Sequence, residues 1–427
     1  MHARRTAAAA LIVCAWAASC VAPGAPPAAR GETSERGDRR WGSLHGAVER
    51  PGGLRLLRVW GPPAQRGFAH GKLLADDIAA IMRQEFAARF ASAQPVLEQA
   101  RAALPRLIEY PDDYVAELDA LWQGVLAGGP DLHMPALGRD FDRVDLLVAN
   151  ALDVFGLMGC SGFTVWGDQA VGGGVLTARN FDWPLTGEHM LDHTLLIVQE
   201  HDDGRSVASV AWPGYIGTVT GVSADGVAAF LHVGSARFAM PQPSSWPAAV
   251  AARKVLESEG AGGDRLAQAA RHIEYTSPPV GFLTHVVLPR VPESGAPAAL
   301  FETDARRCVL GAAPPGPFVV TNHFRSRQDG AGASGDSLGR EQALQRGVTG
   351  CVNVDDEQVD IDEAWRVLRS VERGGGRFFG TLHSLVFRHD PWCFELRVAE
   401  LAYGGVVAAP SSGRRYQLTR AQVFGDR

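Results

Sequence analysis

The chain has 427 residues, a formal net charge of −6 at neutral pH and a charged fraction of 21%. That length can bury one large core or two modest ones, and the slightly acidic balance argues against a nucleic-acid-binding surface. Glycine and proline are abundant, at 49 and 26 residues, which is typical of a turn-rich globular enzyme. After residue 20 no apolar run is long enough to span a bilayer.

The first 20 residues have the pattern of an export signal. A basic start is followed by an apolar stretch, Ala7–Ala18, and then by small residues that end at Cys20. This pattern resembles a bacterial lipoprotein signal, with Cys20 as the lipidated residue. Ala17 stands where leucine is commoner, so ordinary secretion stays open. Residues 21–41 are rich in proline, glycine and arginine and predict a flexible tether. We therefore expect an exported protein, periplasmic or at the cell surface.

Residues 42–159 are predicted to be mainly helical. A short strand at Leu54–Trp60 precedes the first helix, in which apolar residues from Leu74 to Phe90 recur at helical spacing. Further helices are predicted over Val96–Ile108, Tyr114–Leu126 and Phe141–Met158.

A β-hairpin is predicted next, over residues 159–183. The run that starts at Cys160 alternates as a strand does, a glycine-rich turn reverses it, and the second run ends in the residues ARNFDW. Because side chains alternate along a strand, Arg179 and Asp182 should lie on opposite faces. We expect both to reach Cys160 only if the second strand breaks near Phe181.

From residue 193 onward short strands alternate with grouped helices. This order predicts an α+β fold with antiparallel sheets covered by helices, rather than a parallel βαβ sheet. The predicted strands are His193–Glu200, Ser206–Trp212, Gly217–Val222, Val227–Val233, Thr284–Leu288, Ala298–Glu302, Phe318–Thr321, Phe378–Arg388 and Cys393–Glu400. The predicted helices are Trp246–Ser258, Asp264–Ile273, Leu338–Gly347 and Ile361–Val371.

Cys160 is the candidate nucleophile. A cysteine nucleophile needs a lowered pKa, a base and donors for the developing oxyanion, and Arg179 is placed to supply positive charge. No histidine lies within twenty residues downstream of Cys160. Cleavage of the Gly159–Cys160 bond would provide a base, because the new α-amino group has an unperturbed pKa of about 7.7–8. Gly159 has no side chain to obstruct attack on its own carbonyl.

GCSGF followed by ARNFDW resembles the N-terminal-nucleophile (Ntn) hydrolases of the isopenicillin-N acyltransferase type, relatives of the choloylglycine hydrolases. The resemblance implies a four-layer αββα sandwich and self-cleavage before Cys160. Residues 42–159 would become the smaller chain, and residues 160–427 the catalytic region. It also implies a hydrolase or acyltransferase that breaks non-peptide amide C–N bonds through a cysteine thioester.

The same resemblance implies roles for residues elsewhere in the chain. VVTNHF matches the strand end that supplies an oxyanion donor, here Asn322, and SLGREQAL matches a helix start whose arginine, here Arg340, braces the nucleophile. Asp182 would accept hydrogen bonds from the freed amino group. The segment GVSADGVAAFLHVG has His232 where the family carries asparagine. Either His232 supplies the second oxyanion contact or a backbone N–H does.

The remaining histidines and cysteines give weaker signals. His70 is interpreted as a packed or capping residue and His383 as a structural one, whereas His323 either orients the site or lies at the surface. No CxxC or HExxH motif occurs, so we expect no zinc and no cofactor. In an oxidising compartment one disulfide could form among Cys308, Cys351 and Cys393, and the sequence does not choose a pair.

Two other function classes stay open. A papain-like protease could use Cys160 with His323 or His383 and Asn322, although such nucleophiles sit at a helix N-terminus. A lipoprotein with an Ntn-like scaffold could instead be a non-catalytic binding module. Under the hydrolase hypothesis the partner is a small acyl-amide substrate, and lipid or ceramide amides would differ only in substrate.

Overall fold

The computed structural model describes residues 43–151, 158–184, 189–239, 244–259, 262–293, 295–313, 316–352, 358–374, 379–402 and 406–425. The predicted export signal, the lipidation residue Cys20 and the tether lie outside these ranges. Among the described residues, no helix is both long and apolar enough to cross a membrane.

The N-terminal part combines two strands with a helical layer. Its strands are β1 (Gly46–Glu49) and β2 (Leu56–Trp60). Its helices are α1 (Pro63–Leu73), α2 (Ala75–Ile81), α3 (Ala87–Phe90), α4 (Gln94–Leu107), α5 (Asp112–Gly128) and α6 (Arg143–Asn150), with a π-helical turn, Met82–Phe86, between α2 and α3. A two-stranded ribbon, β3 (His133–Met134) and β4 (Arg139–Asp140), precedes α6.

The rest of the chain supplies the other strands and helices. The strands are β5 (Gly159–Trp166), β6 (Val175–Trp183), β7 (Leu195–Glu200), β8 (Ser206–Ala211), β9 (Thr220–Ser223), β10 (Ala228–Val233), β11 (Phe282–Val287), β12 (Ala298–Thr303), β13 (Cys308–Ala312), β14 (Phe318–Val320), β15 (Gly380–Arg388), β16 (Cys393–Val398), β17 (Glu400–Ala402), β18 (Val406–Ala408) and β19 (Arg415–Leu418). The helices are α7 (His189–Asp192), α8 (Ala248–Glu257), α9 (Gly262–Ile273), α10 (Gly335–Val352), α11 (Ile361–Arg369) and α12 (Arg420–Phe424).

Two large sheets form the centre of the molecule. The nine-stranded sheet has the order β1-β2-β7-β8-β9-β10-β11-β12-β13, and the six-stranded sheet has the order β14-β5-β6-β15-β16-β19. Their strand pairs are antiparallel except β2 with β7, which run parallel. The fold is therefore α+β with essentially antiparallel sheets, as predicted.

The buried side chains show four layers. One apolar cluster joins the inner faces of the two sheets, with Phe230 of β10 and Phe387 of β15 among its members. A second packs α8 and α9 on the outer face of the nine-stranded sheet, and a third packs α10 and α11 on the outer face of the six-stranded sheet. The N-terminal helices also pack on the outer face of the nine-stranded sheet, through residues such as Leu57 and Ile197. The observed arrangement is the predicted αββα sandwich.

Glycines bring α1 and α5 into close contact. A Cβ atom on Gly67 would lie 2.0 Å from the carbonyl oxygen of Glu117, and one on Gly71 would lie 2.0 Å from that of Leu121. A Cβ atom on Gly124 would likewise clash with the carbonyl oxygen of Phe68. Only glycine allows the two backbones to approach so closely, and this crossing fixes the position of the N-terminal helical layer.

Several predicted elements need correction. The strand predicted over Leu54–Trp60 is β2, and β1, which was not predicted, pairs with it in the nine-stranded sheet. The strands β13 and β19 and the helix α12 were not predicted. The helix expected over Phe141–Met158 ends at Asn150, and residues 152–157 lie outside the described ranges. Cys308, Cys351 and Cys393 are free thiols, so the disulfide that the sequence left open does not form.

Candidate active site

The β5–β6 hairpin sets which side chains face Cys160. The register pairs Cys160 with Phe181, Gly162 with Arg179 and Gly159 with Asp182. Cys160, Phe181 and Arg179 therefore share the face that looks into the space between the sheets. A Cβ atom on Gly162 would lie 2.6 Å from the Ala178 carbonyl oxygen, so this close pairing requires glycine there.

The Cys160 thiol is fully buried beside the guanidinium of Arg179. Arg179 Nη2 lies 2.9 Å from Cys160 Sγ and donates to the Leu231 carbonyl oxygen at 2.8 Å. Arg179 Nη1 donates to the Val219 carbonyl oxygen, and Cys160 Sγ lies 3.5 Å from Leu231 O. The aromatic rings of Phe181 and Phe230 lie 5.4 and 5.5 Å from the guanidinium carbon. The cation is thus fixed against the sulfur by two backbone carbonyls.

Burial and the neighbouring guanidinium act on the Cys160 thiol in opposite directions. Burial raises the pKa of Cys160, and the opposing influence of Arg179 is smaller. Burial likewise lowers the pKa of the Arg179 guanidinium. In the continuous chain the sulfur is therefore a protonated thiol that donates to Leu231 O.

The backbone of Cys160 is held by Asn322 and Arg340. The amide N–H of Cys160 donates to Asn322 Oδ1 at 2.9 Å, and Arg340 Nη1 donates to the Cys160 carbonyl oxygen at 2.5 Å. Arg340 Nη2 also donates to Asn322 Oδ1 at 2.7 Å, while Asn322 Nδ2 donates to the Val233 carbonyl oxygen at 2.9 Å. Asn322 and Arg340 follow Cys160 by 162 and 180 positions in the sequence, and the fold brings both into contact with it.

Asp182 pairs with Gly159 across the hairpin, on the face opposite to the Cys160 side chain. Its carboxylate accepts from Thr381 Oγ1 at 2.7 Å and from Arg373 Nε at 3.1 Å. A Cβ atom on Gly159 would lie 3.2 Å from Asp182 Oδ2. The expected break near Phe181 is absent, because β6 runs unbroken to Trp183. The irregularity lies instead in β15, where the register shifts after Thr381 and places this residue opposite Asp182.

His232 is buried between two carbonyl groups that hold the site. Leu231 O accepts from Arg179 and Val233 O accepts from Asn322, on either side of His232 in β10. Neither ring nitrogen of His232 has a partner among the described residues. Burial and then Arg179 hold the pKa of His232 well below its usual range, so the imidazole is neutral. An unpartnered buried polar group is costly, so this ring stands out in the site.

The other candidate histidines have structural contacts. His70 Nε2 accepts the Gly214 N–H at 2.9 Å, and burial lowers the pKa of His70 to about 4. His383 stacks on Phe181 with ring centroids 4.9 Å apart. His323 lies 2.8 Å from the Ser337 hydroxyl, whose oxygen accepts the Asn322 N–H. Thus His323 supports a residue that positions Asn322.

Ser337 lies in the first turn of helix α10. Helix α10 begins at Gly335, and the hydroxyl of Ser334 accepts the Ser337 N–H. Two further site residues escaped the sequence analysis. Arg373 joins Asp182 to Asp336, and Asp336 in turn pairs with Arg340 at 3.2 Å. Asp336 directly precedes the matched segment SLGREQAL, whereas no local pattern marks Arg373.

A mainly apolar pocket, whose lining also includes Glu85 and Arg89, opens beside the hairpin. It has an empty volume of about 780 Å³ including its mouth, and it lies between the N-terminal helices and the end of the sandwich. Phe181 and Met158, which flank Cys160 in space and in sequence, are among its lining residues. Within the described part of the chain, no cluster of side chains is suited to hold a metal ion.

Comparisons with known proteins give limited matches. No family model matches the chain. An uncharacterized protein of Archaeoglobus fulgidus is 25% identical over 228 residues, which cover 48% of this chain. The match spans only 37% of that protein's own length.

Solved structures that are similar to part of the chain include three hydrolases. An N-acylethanolamine-hydrolyzing acid amidase ortholog of Caenorhabditis elegans is 13% identical, with 54% of this chain and 93% of that chain covered and a TM-score of 0.38. A mutant conjugated bile acid hydrolase of Clostridium perfringens is 10% identical, covers 61% and 96%, and has a TM-score of 0.39. Penicillin V acylase of Agrobacterium tumefaciens is 15% identical, covers 56% and 83%, and has a TM-score of 0.36.

Proposed function

We propose that this protein is an Ntn-type amidohydrolase or acyltransferase that breaks linear amide C–N bonds through a thioester on Cys160. The observation that carries the proposal is the environment of this one residue. Its sulfur lies against a buried guanidinium, its carbonyl accepts from a second arginine, and its nitrogen donates to an asparagine. The resemblance of GCSGF and ARNFDW to the isopenicillin-N acyltransferase type supports the same chemistry.

Self-cleavage comes first in this proposal. The Cys160 sulfur adds to the carbonyl carbon of Gly159, and the C–N bond breaks as the nitrogen takes up a proton. Water then hydrolyses the thioester, which leaves a carboxylate on Gly159 and restores the thiol. Asp182 lies against Gly159 and stabilises the new ammonium group when that group is charged. Residues 42–159 remain as the smaller chain.

The acyl-transfer steps use the same groups. The new α-amino group of Cys160 takes the thiol proton as the sulfur attacks the substrate carbonyl, and it then gives that proton to the leaving amine. Asn322 donates to the oxyanion of the tetrahedral intermediate, and Arg179 stabilises the thiolate. Water, or an acceptor amine, releases the acyl group and regenerates the thiol.

The two other function classes predict different observations. A papain-like site needs an imidazole in contact with the thiol, whereas the hydrogen-bond partners of Cys160 Sγ among the described residues are Arg179 and Leu231 O. Cys160 also lies in a strand rather than at a helix N-terminus. A non-catalytic binding module would keep the chain intact, and it is the alternative that an experiment must exclude.

The test uses the purified mature protein. Mass spectrometry and N-terminal sequencing should find two chains, the second beginning at Cys160, and a panel of N-acyl amides should be hydrolysed. Cys160→Ala should give one intact chain with no turnover, whereas Cys160→Ser should still cleave slowly. Cys351→Ala, which removes a partly exposed thiol of α10, should behave as wild type. Two-chain maturation of Cys160→Ala would refute self-cleavage.

Export and lipidation are part of the proposal and need their own test. Cells that express the full chain should incorporate labelled palmitate into the wild-type protein and not into Cys20→Ala. Palmitate that is retained in Cys20→Ala would refute the anchor at this residue, and recovery of the protein in the cytoplasm with its signal uncleaved would refute export.

A further inference from the structure

Arg373 is fixed beside Asp182 by its backbone as well as by its side chain. It lies between α11 and β15, where its N–H donates to Thr381 Oγ1 at 2.8 Å and its carbonyl oxygen accepts the Thr381 N–H at 2.9 Å. Thr381 Oγ1 donates in turn to Asp182 Oδ1 at 2.7 Å. Arg373 Nε donates to the other carboxylate oxygen, Asp182 Oδ2, at 3.1 Å. Both oxygens of Asp182 are therefore held by one loop residue and the threonine that it binds.

Asp336 joins Arg373 to the arginine that binds the carbonyl group of the nucleophile. Its Oδ2 atom accepts from Arg373 Nη2, and it also accepts from Nε and Nη2 of Arg340, both at 3.2 Å. Arg340 Nη1 lies 2.5 Å from the Cys160 carbonyl oxygen and 3.9 Å from Asp182 Oδ2. Two aspartates, Asp182 and Asp336, thus alternate with two arginines, Arg373 and Arg340, in a closed ring of contacts beside Cys160. We call these four residues the ion ring.

Asp182 is the member of the ion ring that lies against the bond to be cleaved. The register pairs it with Gly159, and a Cβ atom on Gly159 would lie 3.2 Å from Asp182 Oδ2. Under the proposed function, self-cleavage leaves the α-amino group of Cys160 close to this oxygen. The same oxygen already accepts from Arg373. The new amino group and the Arg373 guanidinium would therefore interact with one carboxylate.

The charges around the new amino group give the sign of the effect. The titratable and charged side chains that face it from the neighbouring elements are Arg179 and Asp182 of β6, His232 of β10, Asp336 and Arg340 of α10, Arg373 and His383 before and in β15, and Glu85 and Arg89 of the N-terminal helices. Burial holds the pKa values of His232 and His383 well below their usual range, so both imidazoles are neutral. The four arginines and three carboxylates leave a net charge of +1, which falls to zero when Arg373 is made neutral.

From this arrangement, and resting on the proposed amidase function, we propose that Arg373 is a positioning residue that sets the pH range in which the site works. It holds the Asp182 carboxylate and offsets its negative charge. The new α-amino group of Cys160 is then unprotonated, and able to take the proton of the thiol, at a lower pH than Asp182 alone would allow. Without Arg373, Asp182 favours the ammonium form, which cannot act as a base.

The pH dependence of kcat/KM tests this role, because it reports the protonation of the base in the free enzyme. Mature wild-type protein and two variants are assayed between about pH 5 and 9 with acetyl, phenylacetyl and octanoyl p-nitroanilides. Arg373→Gln keeps an N–H donor but removes the charge, so the midpoint of the acidic limb should rise by roughly half a pH unit to one unit. Below the midpoint this is a loss of about threefold to tenfold, and at higher pH the rates should converge. Arg373→Lys keeps the charge and should retain the wild-type midpoint.

Further variants separate the effect of charge from that of packing. Asp336→Asn removes a negative charge from the ion ring, so the midpoint should move in the opposite direction, by roughly half a pH unit or less because Asp336 is half-exposed. Arg366→Gln, on the solvent side of α11 with its side chain 71% exposed, should leave the profile unchanged. Because Arg373 is partly exposed, about 1 M salt should shrink the difference between Arg373→Gln and wild type.

The outcomes separate this proposal from the function on which it rests. If wild-type protein stays one chain and hydrolyses no amide, the proposed function fails and this proposal fails with it. If wild-type protein is active but Arg373→Gln loses the same factor at every pH, or the Lys and Gln variants shift alike, the proposed role of Arg373 is refuted. Should Arg373→Gln not mature, the Asp336→Asn profile decides, and a midpoint that stays or rises in that variant overturns the proposal.

Discussion

Glu117→Gln tests the ion cluster that joins the N-terminal helices to the catalytic region. Glu117 of α5 accepts from Arg253 of α8 through both oxygens, at 2.9 and 2.8 Å, and from Gln199 of β7 at 2.9 Å. Arg66 of α1 adds a contact of 3.3 Å. Glu117 and Arg253 are essentially inaccessible to solvent, at 1% and 0% exposure.

The expected cost follows from leaving Arg253 incompletely paired. Removal of one partner of a buried ion pair typically costs 3–5 kcal/mol. In the variant Arg253 still pairs with Glu257 at 2.7 Å. We therefore expect the free energy of unfolding to fall by about 3 kcal/mol, at the lower end of this range. Urea unfolding followed by circular dichroism, in a Cys160→Ala background that keeps one chain, measures the change. Glu98→Gln, whose side chain is 59% exposed and pairs only weakly, should shift the unfolding free energy by about 0.5 kcal/mol or less.

The pH dependence of the free energy of unfolding tests independently whether Glu117 stabilises the fold. Pairing with Arg253 holds the pKa of Glu117 below its usual value, against the effect of burial. A carboxylate with a lowered folded pKa stabilises the fold above the pKa of the unfolded chain, about 4.3, and loses that contribution as the pH falls through the folded pKa. The difference between wild type and Glu117→Gln should therefore be constant between about pH 5 and 8 and shrink in more acidic solution. A loss below about 1 kcal/mol at pH 7, or a difference that grows on acidification, would refute the reasoning.

Three further predictions concern the site. Asn322→Ala should mature but lose about 10²–10³ in kcat, because it removes an oxyanion donor, and wild-type rates would remove Asn322 from this role. His232→Leu should lower kcat while His232→Asn, which keeps a neutral N–H donor, should restore part of it; equal rates in both would assign His232 to packing alone. Gly162→Ala should destabilise the fold by about 1–3 kcal/mol in urea titration, since its Cβ would lie 2.6 Å from the Ala178 carbonyl oxygen, and an unchanged midpoint would contradict that contact.

The sequence determined the local part of this site. Strand alternation in residues 160–166 and the motif ARNFDW predicted a hairpin with Arg179 on one face and Asp182 on the other, and the structure has that arrangement. These features depend on residues close together in the chain, so periodicity is enough to predict them. The grouping of short strands and helices also predicted the α+β class correctly.

Matching motifs extended the prediction to distant residues but did not fix their contacts. Asn322 and Arg340 were assigned to the nucleophile, and both contact Cys160 in the structure. The contact between Asp182 and the freed amino group of Cys160 stays a prediction, because in the continuous chain this nitrogen is an amide whose N–H donates to Asn322. The register pairs Asp182 with Gly159, the residue on the other side of the bond to be cleaved.

Only the tertiary structure decided the surroundings of the site. The carbonyl groups of Val219 and Leu231, the side chain of Arg373 and the pocket walls come from elements scattered between residues 78 and 373. No local pattern encodes such contacts, since they depend on how two sheets and the N-terminal helices pack together. The raised pKa of Cys160 has the same origin, because burial by those layers outweighs the charge that the sequence placed beside it.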